Sequence, residues 1–176
     1  MGGAPELNLQ NPNRERARMI VSLSPGIHLR KLQKLLGTSF STTRYHVESL
    51  RREGEIVCSK DGRYQRLYPA GTAEALKATY ALLQSKSARK VLRALVGGQR
   101  DLRNGDLCET AGLPRSTVSE YTALLSEAGL VKRRVNADGH TLYGIHDRER
   151  ALELLSVFEK NLLDVATDRF TDLWDL

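Results

Sequence analysis

The chain repeats itself after 75 residues, and this repeat limits the folds open to it more than any other feature of the sequence. Glycine, hydroxyl and leucine positions recur without a gap: Gly37 and Gly112, Ser41 and Ser116, Thr42 and Thr117, Leu50 and Leu125, Leu67 and Leu142. Self-similarity at constant spacing indicates two copies of one structural unit. The 176 residues are therefore expected to form two small, similar units.

The first copy reads as three helices followed by a β-hairpin. Apolar residues at helical spacing predict helices over residues 14–23, 28–36 and 40–53. Asn13 is a suitable N-cap for the first of them. Strand-like residues on both sides of Asp61 and Gly62 predict the hairpin and its turn.

The second copy repeats this order with different helix-capping residues. Ser85 or Ser87 begins its first helix, and Asn104 is expected to cap its short second helix. A linking helix capped by Thr72 is expected between the copies, and a final helix is expected to open at Asp147.

Two short helices joined by a tight turn and followed by a hairpin have the layout of a winged helix-turn-helix. We predict a mainly α fold with small β-hairpin wings (α+β), in which two tandem winged helix-turn-helix domains precede a C-terminal helix. The predicted segments are a flexible tail over residues 1–12, winged domains over 13–70 and 85–147, a linker helix over 71–84, and a dimerisation helix over 148–176.

The third helix of each copy carries a family resemblance. Residues 36–47 read LGTSFSTTRYHV and lead to Leu50, and residues 111–119 read AGLPRSTVS and lead to Leu125. Both segments resemble the recognition segments of ArsR- and MarR-like regulators, the second more closely. The pair is similar to predicted archaeal transcriptional regulators with two tandem winged helices. This resemblance implies double-stranded DNA as the partner and says nothing about a small-molecule effector.

The first copy departs from that pattern at two positions. Thr38 stands where the turn usually carries an apolar residue, and Thr43 stands where a core aliphatic residue is common. We expect these residues to weaken the match locally without changing the architecture.

The distribution of charge favours an anionic partner. Lys and Arg number 27 against 21 Asp and Glu, a net charge of +6. Residues 13–70 carry 12 basic and 5 acidic side chains, residues 85–147 carry 10 and 7, and residues 148–176 carry 4 and 7. The positive charge therefore belongs mainly to the first copy, where it suits nucleic-acid phosphates.

The outward side of the third helix in the first copy is the predicted DNA-reading face. Thr43, Val47 and Leu50 share the inward side, so the opposite side would enter the major groove. Arg44 is suited to guanine, and basic hairpin residues are suited to the backbone. The predicted DNA-binding residues here are Ser41, Thr42, Arg44, Tyr45, Arg51, Arg52, Lys60, Arg63 and Arg66.

The corresponding helix of the second copy turns Glu120 and Glu127 outward, which disfavours phosphate and gives protein contact more weight. Direct DNA contact is still predicted for the start of this helix and for the second hairpin. The residues concerned are Arg115, Ser116, Thr117, Ser119, Lys132, Arg133, Arg134 and His140.

The final helix has a broad apolar face with coiled-coil spacing. We predict that part of it packs on the chain itself and part on a second copy, giving a homodimer suited to palindromic sites. A helix that packs only within the chain is the alternative. The predicted dimerisation residues are Leu155, Phe158, Leu162, Val165, Phe170 and Trp174.

Other classes of protein find little support in the sequence. Scattered histidines and isolated cysteines give no metal-ligand spacing, and neither a phosphate-binding glycine loop nor a catalytic set is present. We therefore expect no enzyme activity, cofactor or metal. The chain also lacks an apolar run long enough for a membrane span, so a cytoplasmic location is expected.

The predicted function is a sequence-specific transcriptional regulator that binds double-stranded DNA, with recognition helices in the major groove and basic wings on the backbone. Two alternatives stay open: a tandem winged-helix scaffold that binds proteins, and a subunit that resembles a general transcription factor.

Overall fold

The computed structural model describes residues 11–62 and 64–159, which divide into two compact units, one ending at Thr72 and one starting at Ala73. Helices dominate both units, and each unit holds one small antiparallel sheet that contains a hairpin. The predicted fold class, mainly α with β-hairpin wings, is confirmed.

The first unit contains three helices and three strands. In chain order these are α1 (Pro12–Leu23), β1 (Ile27–His28), α2 (Leu29–Leu36), α3 (Phe40–Arg52), β2 (Ile56–Asp61) and β3 (Tyr64–Pro69). The sheet order is β1-β3-β2, so the returning strand of the hairpin lies in the centre. The strand β1 was not predicted from the sequence, because two residues are too few to show strand alternation.

The second unit repeats this arrangement and adds a helix at each end. Its elements are α4 (Glu74–Leu83), α5 (Lys86–Gly97), β4 (Leu102–Arg103), α6 (Asn104–Ala111), α7 (Arg115–Glu127), β5 (Val131–Val135), β6 (Thr141–Ile145) and α8, which begins at residue 148 and is described to residue 159. The sheet order is β4-β6-β5.

The ungapped match between the copies holds through the helices but not through the last strand. Leu67 pairs with Ile27 in the first unit, whereas Tyr143, not Leu142, pairs with Leu102 in the second. In the first wing the last paired residues before the turn are Asp61 and Tyr64, and in the second wing they are Val135 and Thr141. The turn of the second wing is therefore longer. The longer turn moves the returning strand by one residue.

The cap of α1 lies earlier than predicted. The side chain of Asn11, not that of Asn13, caps the helix, and its Oδ1 accepts a hydrogen bond from the backbone N–H of Asn13 at 3.1 Å. Pro12 then occupies the first helical position, where the missing N–H costs nothing.

Two further predicted caps are wrong. Asn104 is the first residue of α6, and its side-chain amide donates to Ser119 Oγ at 3.2 Å. The hydroxyl of Thr72 donates to the Pro69 carbonyl at 2.8 Å, and α4 starts after Ala73. A side chain that finds a better partner elsewhere does not cap its own helix.

Ser85 and Asp147 do cap helices as predicted. Ser85 Oγ accepts a bond from the backbone N–H of Ala88 at 3.4 Å, and Asp147 Oδ1 accepts one from Arg150 at 3.0 Å.

The inward face of α3 is buried as predicted. Val47 and Leu50 lie in the core of the first unit, and Thr43 is fully buried. The Thr43 hydroxyl lies 2.9 Å from both the Ser39 carbonyl and the Thr38 hydroxyl, so its polar atom is satisfied. The two departures from the family pattern are therefore a bonded pair. The second unit has an apolar pair, Leu113 and Val118, at the same positions.

His46 is buried beside these residues, and its Nδ1 has no hydrogen-bond partner among the described residues. Burial lowers the pKa of this imidazole, and the positive charge of Arg14 lowers it further. The neutral form of His46 is thus the one that suits the fold.

The helix α8 packs against its own unit. Ala151, Leu154, Leu155 and Phe158 are buried in the core of the second unit. The centre of the Phe158 ring lies 6.3 Å from the centre of the Tyr80 ring and 5.4 Å from the Arg89 guanidinium. Assigning Leu155 and Phe158 to a dimer seam was therefore wrong, because the chain itself covers them.

The other four predicted dimerisation residues lie outside the described residues: Leu162, Val165, Phe170 and Trp174.

We expect Phe158→Ala to lower the free energy of unfolding of the second unit by about 3–5 kcal/mol, because it leaves a cavity in a packed core. Urea denaturation followed by circular dichroism measures the change. Leu152→Ala is the matched control on the same helix, since Leu152 is 50% exposed, and it should change stability by about 0.5 kcal/mol or less. Equal stability of the two variants would contradict the packing described for α8.

We also expect acid to destabilise the first unit through His46. The unfolded imidazole has a pKa near 6.5 and the folded one has a lower pKa, so the unfolded chain takes up the proton first as the pH falls. Stability should therefore drop as the pH falls below about 6.5. His46→Gln, which cannot take up this proton, should show a smaller drop in urea midpoint than wild type. His140→Gln changes an exposed histidine of the other unit and should behave as wild type. An unchanged pH dependence in His46→Gln would refute this role.

Candidate nucleic-acid interface

The start of α3 carries a cluster of hydroxyl groups. Gly37 ends α2 in the left-handed conformation, with φ of 67°, which allows the tight turn into α3. Ser39 caps α3 and accepts a bond from the backbone N–H of Thr42 at 3.1 Å. Its Oγ also lies 2.9 Å from Ser41 Oγ and 2.8 Å from Thr42 Oγ1. Ser41 and Thr42, both predicted site residues, are exposed at the positive end of the helix dipole.

The outward face of α3 is basic and aromatic. Arg44, Tyr45, Arg51 and Arg52 are all exposed, as predicted. Arg51 donates two hydrogen bonds to the Glu48 carboxylate, at 2.6 and 3.1 Å, and this hydrogen bonding lowers the pKa of Glu48. The charge of Arg51 is therefore shared with an ionised partner. Arg44 and Arg52 form no ion pair with any described residue.

The wing of the first unit uses one predicted cation for its own structure. The Arg66 side chain is 13% exposed; its Nε donates to Asp61 Oδ2, and its Nη1 donates to the Gly26 carbonyl at 2.9 Å. These bonds tie β3 to the end of β2 and to the loop before β1. Two of the five N–H donors of Arg66 are thus engaged within the unit, and its assignment to DNA stays a prediction. Lys60 is exposed, and Arg63 lies outside the described residues.

A groove runs between the start of α2, the first half of α3 and the wing. The residues that line it are His28, Leu29, Arg30, Phe40, Arg44, Tyr64 and Gln65. Within the groove the Arg30 guanidinium lies 5.2 Å from the centre of the Phe40 ring, and the His28 and Tyr64 rings are 5.1 Å apart. Burial lowers the pKa of His28, and the charge of Arg66 lowers it further.

The second unit has a groove at the same place. It is lined by Arg103, Asn104, Gly105, Asp106, Arg115, Ser119, Gly139, His140, Thr141 and Tyr143. Seven of these residues follow the seven residues of the first groove by 75 positions. The repeated sequence therefore builds the same concave surface twice, beside the third helix and the wing.

The predicted residues of the second unit occupy two surfaces. Arg115, Ser119 and His140 line the groove. The three cations of β5, Lys132, Arg133 and Arg134, are exposed along the wing. Arg134 forms an ion pair with Asp101 at 2.6 Å. Ser116 is exposed on α7, and Thr117 is half-buried.

Several groove residues were not predicted from the sequence, because the strands β1 and β4 were not predicted. These strands hold His28 and Arg103 against the returning strand of each wing. Phe40 was also missed, although the repeat aligns it with Arg115, which was chosen. The signal in the sequence that identifies Phe40 is its alignment with Arg115 in the 75-residue repeat.

Residues 88–134 of the chain match the IclR helix-turn-helix domain. The matched segment includes α6 and α7 of the second unit. This match supports a DNA-binding regulator of the winged-helix class. None of the curated proteins matches the chain.

Several solved structures are similar to the chain. A MarR-family regulator from Silicibacter pomeroyi shares 22% identity over 54% of this chain and 61% of its own, with a TM-score of 0.39. The PcaV regulator from Streptomyces coelicolor, solved with its natural ligand, shares 17% over 78% and 91%, with a TM-score of 0.42. A mutant of MepR from Staphylococcus aureus, solved with an oligodeoxyribonucleotide, shares 13% over 76% and 83%, with a TM-score of 0.41.

The chain thus spans 61% of the length of the Silicibacter protein. Since each identity is below 25% and each TM-score below 0.5, these likenesses do not assign a function to the chain. The matched helix-turn-helix domain is one of transcription regulators, in agreement with the prediction that the chain is not an enzyme. Within residues 11–62 and 64–159, no helix is long and apolar enough to cross a membrane.

We expect Arg66→Ala to lower the free energy of unfolding of the first unit by about 2 kcal/mol, since it removes charged hydrogen bonds from a mostly buried group. Urea denaturation measures the loss. Lys60→Ala is the matched control, because Lys60 is an exposed cation of the same wing and should change stability by about 0.5 kcal/mol or less. If Arg66→Ala unfolds at the wild-type urea concentration, the wing does not depend on this residue.

Proposed function

We propose that this protein is a transcriptional regulator that binds a specific site on double-stranded DNA, with α3 and α7 in the major groove and the two wings on the backbone. The observation that carries the proposal is the pair of equivalent grooves, each of which places an exposed arginine of the third helix beside a wing. That arginine is Arg44 in the first unit and Arg115 in the second.

The first unit is the principal reader in this proposal. Arg44 is exposed on the recognition helix without an ion-pair partner among the described residues, so its guanidinium is free to bond the O6 and N7 of guanine. Arg52 on the same helix and Lys60 on the wing are similarly free to contact phosphates. Ser41 and Thr42 add hydroxyl groups at the helix start, where base edges and phosphates come within reach.

The second unit has a more mixed surface. Its wing supplies Lys132 and Arg133 as exposed cations, while α7 turns Glu120 and Glu127 outward. These carboxylates repel phosphates, although glutamate can accept a hydrogen bond from cytosine. We therefore assign this unit a weaker contribution to DNA affinity. Its acidic face favours a second candidate function, contact with a protein.

We further propose that the chain binds DNA as a homodimer through the C-terminal segment that contains Leu162, Val165, Phe170 and Trp174. The support is the apolar spacing of this segment in the sequence and the preference of two-fold dimers for palindromic sites. Leu155 and Phe158 take no part, because they are core residues of the second unit.

Arg44→Ala should weaken binding to a site selected from random duplex DNA by about 1–3 kcal/mol and flatten the preference for that site. The affinities for the selected site and for single-base variants, measured by fluorescence anisotropy at fixed salt, test this. Arg16→Ala is the matched control, since Arg16 is an exposed arginine of α1 outside the groove. An Arg44→Ala variant with unchanged discrimination would remove Arg44 from base reading. A wild-type chain without any duplex preference would favour the protein-binding scaffold.

Leu162→Glu combined with Val165→Glu should convert the dimer into a monomer, because unpaired charges buried in an apolar interface cost several kcal/mol. Light scattering measures the mass. Affinity for a full palindromic site should fall far more than affinity for an isolated half-site, because the second binding event is no longer tethered. A wild-type chain that is monomeric where it occupies its site would end the dimer proposal.

A further inference from the structure

The first unit exposes aromatic rings beside its recognition helix. Phe40 is 39% exposed, Tyr45 is 65% exposed and Tyr64 is 61% exposed. Apolar rings of this size normally contribute to a core, so an exposed group of them on one small unit requires a reason.

These rings alternate with cations. Phe40 and Tyr64 line the same groove as Arg44, and Arg30 lies against Phe40. Tyr45 follows Arg44 directly on the exposed face of α3. Rings interleaved with positive charges are the arrangement by which proteins hold bases and phosphates of a single strand.

The second unit shows that the fold does not need these rings. At the positions equivalent to Phe40 and Tyr45 it has Arg115 and Glu120. Because the returning strand is moved by one residue, the residue in the place of Tyr64 is His140. The helices α3 and α7 nevertheless have the same length, 13 residues, and the grooves occupy the same place. Phe40 and Tyr45 are therefore a property of the surface of the first unit and not of its packing.

We infer that the first unit binds DNA with unpaired bases, which stack on Phe40, Tyr45 and Tyr64 while the cations of the same face hold the phosphates. This inference rests on the DNA binding proposed above and adds the structural state of the DNA. The faces of paired bases are covered by their neighbours in a duplex, so rings can stack on bases only where the duplex is opened or a strand is single.

Tyrosine hydroxyls offer a competing explanation, because they can donate hydrogen bonds to phosphates of an intact duplex. Phe40 has no hydroxyl and lies in the same groove, which favours stacking. Replacing tyrosine with phenylalanine separates the two explanations, since it keeps the ring and removes the donor.

The test uses the full chain and three fluorescent probes of one mixed sequence: a fully paired duplex, the same duplex with a central mismatched stretch, and one strand alone. Anisotropy titrations at fixed salt give the ratio of the affinity for the mismatched duplex to that for the paired duplex. The variants are Tyr45→Ala with Tyr64→Ala, and Tyr45→Phe with Tyr64→Phe. Circular dichroism checks that both double variants are folded.

We expect a ratio of about ten or more for wild type, which corresponds to the stacking of at least one base. The alanine double variant should bring the ratio close to one, and the phenylalanine double variant should keep it. The affinity for the single strand, compared with that for the mismatched duplex, shows whether the paired flanks of the duplex add to binding. The inference is overturned by a wild-type ratio near one, by an alanine variant that keeps the ratio, or by a phenylalanine variant that loses it.

Failure of the proposed function gives a different result. A sequence-dependent duplex affinity with a ratio near one would leave the regulator proposal intact and remove only the stacking. Binding of the mismatched duplex and single strand without binding of the paired duplex would support the stacking and contradict the regulator of a duplex site. No binding to any probe would contradict both.

Discussion

The burial of one side of the third helix fixes the functional surface of each unit. In α3 the buried side is formed by Thr43, His46, Val47 and Leu50, and only the opposite side is left for a partner. Because side chains on a helix are spaced at about 100°, anchoring the inner residues determines where every outer residue points. The exposure of Arg44 and Tyr45 is thus a consequence of the core.

The two units solve the same packing problem with different chemistry. In the first unit the buried Thr43 hydroxyl donates to the Ser39 carbonyl and lies 2.9 Å from the hydroxyl of the half-buried Thr38. The second unit has Leu113 and Val118 at these positions. In α7 the buried hydroxyl moves to Thr122, which donates to the Val118 carbonyl at 2.8 Å. Since a satisfied buried hydroxyl costs little, the core tolerates these exchanges, and the outer surfaces are free to diverge.

The cations of the chain fall into two groups: some bond to other residues of the chain, and others have no such partner among the described residues. Arg66 donates hydrogen bonds to Asp61 and to the Gly26 carbonyl, and Arg51 shares its charge with Glu48. Arg44 and Lys60 have no such partner among the described residues and are available to an anionic ligand. A positive net charge thus overstates the number of cations that can meet DNA.

The sequence by itself determined the repeat, the order of helices and hairpins, the inward face of α3 and the excess of positive charge, because these depend on local spacing and composition. Only the tertiary structure decided that Arg66 bonds to Asp61 and Gly26 and that Phe158 belongs to a core. It also brought His28, Phe40 and Tyr64 into one groove. Those outcomes depend on contacts between residues far apart in the chain, such as Arg66 with Gly26 and Phe158 with Tyr80. The spacing of residues along a sequence carries no information on which distant group will accept a hydrogen bond from a donor or pack over a ring.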